Sequence, residues 1–397
     1  MGLIGSSRAL LGVLSGVMVG ASGVSAGCGA GSDATSDLLP IRQEIGEVGL
    51  SPGQFSRPRC IDADEQSLWV IDKEARVQRI DARTGACRRI FEMPDSSLGK
   101  PTGITIGAAP QTATDGDTTG ARAVWIADTH YHRVRAYAID ELGVHEGRAP
   151  ELLMEFGSYG REGGQFIFPT DVAVLAGADG RVRRIYVSEY GGNDRVSVFD
   201  GAGAFLFAFG GFGEGPANDV GPEIRFSRPQ SIAIVGDELL VADACNHRVG
   251  RFTLDGKLVK WIGGLELATE KQRGFNYPYG LAPLRDGTVL VSEFGNCRIR
   301  RLDPRTGDLL DVIGGPGRGK QGFSTPWGVA VIGGTAFVLD TGNNRIVGVE
   351  SPRAGVDVAK RGVVSDEQLD GQLDGQGGSP RRTGTTSTPE HSVEQGS

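Results

Sequence analysis

Residues 229–249 read PQSIAIVGDELLVADACNHRV. A proline opens the stretch, an apolar run carries it to Val235, and Gly236-Asp237 interrupts the run. A second apolar run ends in an acid, Asp243, and Arg248-Val249 starts a third. Short aliphatic and β-branched runs bounded by Gly, Asp and Asn read as strands joined by tight turns. No three-to-four-residue apolar spacing persists long enough for an amphipathic helix.

The same grammar recurs on both sides. The openings are Pro58-Arg59-Cys60-Ile61, Pro101-Thr102-Gly103-Ile104, Pro169-Thr170-Asp171-Val172, Pro229-Gln230-Ser231-Ile232, Pro278-Tyr279-Gly280-Leu281 and Pro326-Trp327-Gly328-Val329. The second runs end at Asp72, Asp128, Glu189, Asp243, Glu293 and Asp340. Each acid is followed by an arginine that opens the third run: Arg76, Arg133, Arg195, Arg248, Arg298 and Arg345. Several units add a fourth run, such as residues 205–209, FLFAF. A four-stranded sheet has two faces to cover, so neighbouring units must stack face to face. Units of about 50 residues suit propeller blades round a channel and are too long for a leucine-rich solenoid.

The ends of the repeat array explain each other. The last unit stops after its third run, 345–350, while residues 41–46 (IRQEIG) look like the end of a unit without a beginning. The segment Gly53-Gln54-Phe55 then leads to Pro58, as Gly164-Gln165-Phe166 leads to Pro169. The expected fold is therefore all-β: a six-bladed β-propeller of four-stranded antiparallel blades, the last blade completed by the N-terminal strand. Such closure leaves no open innermost edge to template aggregation.

The combination Pro-x-Gly-Val-Ala, Val-x-Asp and Gly-Asn-x-Arg-Ile resembles the NHL-repeat family of propellers. Residues 243–249 (DACNHRV) and 340–346 (DTGNNRI) carry the match best, and blade 1 departs from it, because Asp72-Lys73-Glu74-Ala75-Arg76 lacks the Gly-Asn. The resemblance, over residues 41–350, implies a fold and a binding style. It implies no single reaction, since the fold hosts RNA binders, protein scaffolds, lyases and lactonases.

Composition agrees with this reading and narrows the partners. The 397 residues include 63 Gly and 19 Pro, with 39% hydrophobic and 23% charged residues. That suits a turn-rich chain with a core and excludes collagen-like or wholly disordered material. A net charge of −8 argues against broad phosphate neutralisation, so no nucleic-acid partner is expected. Five cysteines are too few for a disulfide framework of this size. Cys245 and Cys297 fall in equivalent loops of adjacent blades, where a bridge is conceivable.

Residues 1–28 read as an export signal: Arg8, then the apolar run 9–20 (ALLGVLSGVMVG), then small residues. The run is shorter than the ~20 residues of a spanning helix. Val24-Ser25-Ala26 suits ordinary signal peptidase, and Ser25-Ala26-Gly27-Cys28 is similar to a bacterial lipobox with Ser in place of the usual Leu. The second reading makes Cys28 a lipidation site and residues 29–40 a flexible tether. Either reading takes the protein out of the cytoplasm, with a membrane touched only through the lipid. Residues 41–351 form the propeller, and 352–397, rich in Gly, Ser, Thr and Gln, read as a disordered tail.

The repeated acids and arginines are expected to be structural, each acid taking N–H groups of the following turn and pairing with its arginine. A metal site is poorly supplied. Only blades 2 and 4 offer histidine on the relevant face, and His145 falls on the opposite one, leaving a local set of Asp128, His130 and His132. No cofactor is expected. The residue after each proline rings the channel mouth: Arg59, Thr102, Thr170, Gln230, Tyr279 and Trp327. In a closed ring Tyr279, Trp327 and Arg59 stand side by side, residue types enriched at binding hot spots. Asp171 is the one carboxylate a step further in. The leading expectation is a monomeric, non-catalytic binding or scaffold module for a protein, peptide or glycan. The alternative is a lactonase-like hydrolase or metal-dependent lyase centred on Asp171 with His130 or His247.

Overall fold

Each blade begins where a buried proline releases the chain into its innermost strand. In the computed structural model, residues 41–111, 120–139, 149–215, 223–268, 274–319 and 322–350 are described, all within the unit Asp37–Ser397. The signal with Cys28, the tether, the tail with His391, and His145 lie outside the described residues.

Six four-stranded antiparallel sheets follow one another. Blade 1 covers 60–92, blade 2 103–156, blade 3 168–210, blade 4 229–263 and blade 5 278–313. Blade 6 covers 328–350, and Ile41–Ile45 pairs antiparallel with Arg345–Glu350 as its fourth strand. The six innermost strands touch in sequence and the sixth touches the first, which closes the ring.

Blade 4 shows why its strands are apolar at nearly every position. Leu239 and Val241 pack with Ile232 and Ile234 against Ala173, Leu175 and Tyr186 of blade 3. Leu240 and Ala242 pack from the other face against Leu281, Val289 and Val291 of blade 5. Side chains alternate across a strand, and here both faces are covered, so the run LLVA is continuously hydrophobic. Each of the six seams holds one such cluster.

Two regularities tie the loops to the blades. Phe55, Phe166, Phe226, Phe275 and Phe323 are fully buried, each three residues before a blade-opening proline. A glycine with positive φ lies against such a ring: a Cβ on Gly46 would stand 2.3 Å from Phe55, and one on Gly210 2.4 Å from Phe226. The residue just before each repeat arginine is left-handed in all six blades: Ala75, His132, Asp194, His247, Cys297 and Asn344, with φ from 42° to 60°.

Cys245 and Cys297 are free thiols, so the two are not bridged.

Candidate functional site at the channel mouth

The turns between second and third strands share one face with the loops between blades, and the acid–arginine pairs organise that face. Arg248 Nε donates to Asp243 Oδ2 at 2.9 Å, with both side chains fully buried. Glu189–Arg195 (2.7 Å), Glu293–Arg298 (2.9 Å), Asp340–Arg345 (2.8 Å) and Asp128–Arg133 (2.9 Å) repeat it, as does the Asp72–Arg76 pair. The guanidiniums then reach inter-blade loop carbonyls, for example Arg195 to Glu162 and Gln165 and Arg345 to Gly322.

The acids' N–H partners depart from expectation. Only Asp72 takes N–H groups of the following turn, from Glu74 and Arg76. In five blades, that of Asp72 included, the inter-blade loop folds back over the strand end and supplies a donor: Ser56 to Asp72, Ile167 to Glu189, Ser227 to Asp243, Asn276 to Glu293 and Ser324 to Asp340. Asp128 lacks this bond, and its Oδ1 is buried without a hydrogen-bond partner. The loop into blade 2 reads Leu98-Gly99-Lys100-Pro101 and has no buried phenylalanine to fold it back. Burial pushes the Asp243 carboxyl up to about 6, against the pull of Arg248, Asn246 and the Ser227 N–H.

All six blades line the mouth, through Cys60, Thr102, Asp171, Gln230, Tyr279 and Trp327 among others. The anticipated cluster is assembled. Tyr279 and Trp327 meet edge to face at 5.1 Å, and the Arg59 guanidinium lies 5.9 Å from the Trp327 ring centre. Their exposure is unequal, however. Arg59 and Trp327 are half-buried, while Tyr279 is only 7% exposed because Phe294 stacks on it at 4.7 Å. Tyr279 is therefore part of the floor of the site.

Several mouth polar groups are occupied in sealing the seams. Asp171 Oδ1 accepts the Val172 N–H, and its Oδ2 accepts the Ser231 hydroxyl (2.8 Å) and the Ile232 N–H (3.1 Å), stapling blade 3 to blade 4. Thr102 donates to the Thr170 carbonyl, Thr170 to the Pro229 carbonyl, and Thr341 to the Pro58 carbonyl. Gln230 is buried and accepts from Arg228 Nε at 3.3 Å.

The histidines are engaged too. His247 Nδ1 accepts the Tyr277 N–H of the next blade (3.2 Å), and burial pushes its pKa down. Burial also lowers the pKa of His130, whose Nδ1 faces the Lys100 backbone, while His132 Nδ1 faces the Ile167 carbonyl. Asp128, His130 and His132 thus point to separate partners. No three His, Cys, Asp or Glu groups among the described residues converge as a metal site.

The sequence reading missed three residues here: Arg228, Tyr190 and Phe294. Arg228 sits 4.9 Å from the centre of the Tyr190 ring and 6.0 Å from that of Tyr279. Tyr190 and Phe294 each follow a repeat acid, Glu189 and Glu293, and Arg228 precedes a blade-opening proline. Reading those two registers across the units, as was done for the residue after proline, would have found them.

Comparison with known proteins fits this architecture. The NHL repeat family model matches residues 226–252. Protein brain tumor of Drosophila melanogaster is 27% identical over 165 residues, 40% of this chain and 14% of that protein's length. A structural genomics protein of unknown function from Bacteroides thetaiotaomicron superposes with a TM-score of 0.51 at 16% identity, covering 78% of this chain and 73% of its own. A luciferin-regenerating enzyme superposes with a TM-score of 0.50 at 11% identity, covering 78% and 96%. At these identities the structural likeness speaks for the fold alone.

Proposed function

We propose that this six-bladed β-propeller, which carries an NHL repeat, is a non-catalytic binding module that receives a protein, peptide or glycan at its channel mouth. One observation carries the reading. Arg59, Arg228, Trp327, Tyr279 and Tyr190, from five blades, converge on one opening, while the Asp171 carboxylate and the Nδ1 atoms of His130 and His247 are held by the fold. Aromatic and arginine side chains around a partly desolvated pocket are the composition of interface hot spots.

The segment 1–28 supports a location outside the cytoplasm, held to a bacterial envelope through a lipid on Cys28. Replacing Cys28 by Ala abolishes lipid labelling and membrane partitioning on this account. Unchanged partitioning refutes the anchor.

The binding role is tested by capture from native envelope extracts on the wild type and on the Tyr279→Ala/Trp327→Ala variant. The account expects the wild-type set to disappear with the variant. Equal capture by both means that the mouth is not the site.

A further inference from the structure

We infer that the ligand of this mouth is an acidic peptide, with a side-chain carboxylate seated between Arg59 and Arg228 and apolar neighbours on the surrounding loops. The inference rests on the binding reading above and names its chemistry.

The mouth holds more donors than acceptors. Among the described residues the Arg59 guanidinium has no hydrogen-bond or ion-pair partner, and the Arg228 guanidinium hydrogen-bonds only the neutral Gln230 oxygen, with the Asp194 carboxylate acting on it through space. The Trp327 Nε1–H is buried without an acceptor. Blades 1 and 4 stand on opposite sides of the ring, yet Arg59 and Arg228 are linked across the mouth by the Trp327 and Tyr279 rings, which meet at 5.1 Å. Burial lowers the Arg59 pKa, the Tyr190 hydroxyl opposes that, and Arg228 and Arg57 lower it further. Two like charges half-buried on aromatic rings are an unfavourable arrangement that an anion between them relieves. The buried carboxylates of this face are spoken for. Asp194 accepts the N–H groups of Arg228 and Gly192, and Asp171 holds Ser231 and Ile232.

A carboxylate is an acceptor without donors, which is what this set lacks. A neutral glycan is less suited, because the Thr102, Thr170 and Ser231 hydroxyls that could meet sugar hydroxyls already bond within the fold. A polyanion such as RNA meets a chain of net charge −8. The inter-blade loops on this face expose apolar side chains, Val48 (68%), Leu98 (71%), Tyr159 (68%) and Phe212 (59%), which suit aliphatic residues elsewhere in such a peptide.

The test pans a phage-displayed random dodecapeptide library against the purified protein. Enriched peptides are expected to carry Asp or Glu beside apolar residues. A synthetic hit should lose about tenfold or more in affinity when its acid becomes the isosteric amide, and likewise with Arg59→Gln or Arg228→Gln. Melting curves check that both variants fold. Absence of enrichment, hits without acids, hits indifferent to the amide exchange, or preference for oligouridine or a neutral oligosaccharide would each overturn the inference. Hits that ignore charge but vanish with Tyr279→Ala/Trp327→Ala sink the carboxylate and leave the mouth as the site. Hits indifferent to all four substitutions sink both.

Discussion

His247 shows how one turn position does different chemistry in different blades. Its Nδ1 holds the Tyr277 N–H across a seam, as Asn344 Oδ1 holds that of Arg57 (2.7 Å) and Asp194 Oδ1 that of Arg228 (2.7 Å). The folded-state pKa of His247 is lowered by burial, so below pH ~6.5 the unfolded chain takes up a proton that the folded chain resists. Stability therefore falls as pH drops through ~6.5 toward the lowered folded value, and His130, lowered in the same direction, adds to the fall. His247→Asn keeps the bond and should flatten part of that slope, read as urea midpoints at pH 7.5 and 5.5. An unchanged slope contradicts the assignment. Arg248 gives a larger effect. Arg248→Met strands the buried Asp243 and should cost about 3–5 kcal/mol in denaturant unfolding. Arg88→Met, at the exposed Asp81 pair, should cost less than about 1 kcal/mol.

Where a strand hands over to the next blade, a glycine–phenylalanine contact sets the path. At Gly210, with φ +95°, a methyl group meets the Phe226 ring, whereas at Gly287, with φ +80°, it meets nothing within 4 Å. Gly287→Ala should cost the left-handed strain alone, about 1–2 kcal/mol. Gly210→Ala adds overpacking of about 1–3 kcal/mol, and comparable costs in thermal melts would refute the contact's role. The strands and their order were legible because proline openings, paired acids and continuous apolar runs are each dictated by backbone or burial. The left-handed residue before each arginine was not, since Ala75, His132, Asp194, His247, Cys297 and Asn344 share a conformation and no chemistry. Nor was the origin of the N–H groups on the acids, because it depends on loops folding back over strands distant in sequence.

Ring closure converts six local sheets into one surface. Ile41–Ile45 covers the edge of Arg345–Glu350, and Ile45 and Ile346 are buried together in the seam between blades 6 and 1. Deleting residues 41–46 should expose that edge and yield a less stable, self-associating protein by light scattering; an unchanged melting point and mass would contradict it. The Arg59, Trp327 and Tyr279 neighbourhood could be read from the repeat because closure makes blades 5, 6 and 1 consecutive. The juxtaposition of Arg59 with Arg228 could not, since it depends on how far two half-buried side chains reach over the opening. Hydrogen exchange with and without a selected peptide tests the central claim most directly. The account predicts protection at 57–60, 228–231 and 325–328, around the mouth. Protection confined to the opposite-face turns, 82–86, 201–204 and 303–308, would contradict it.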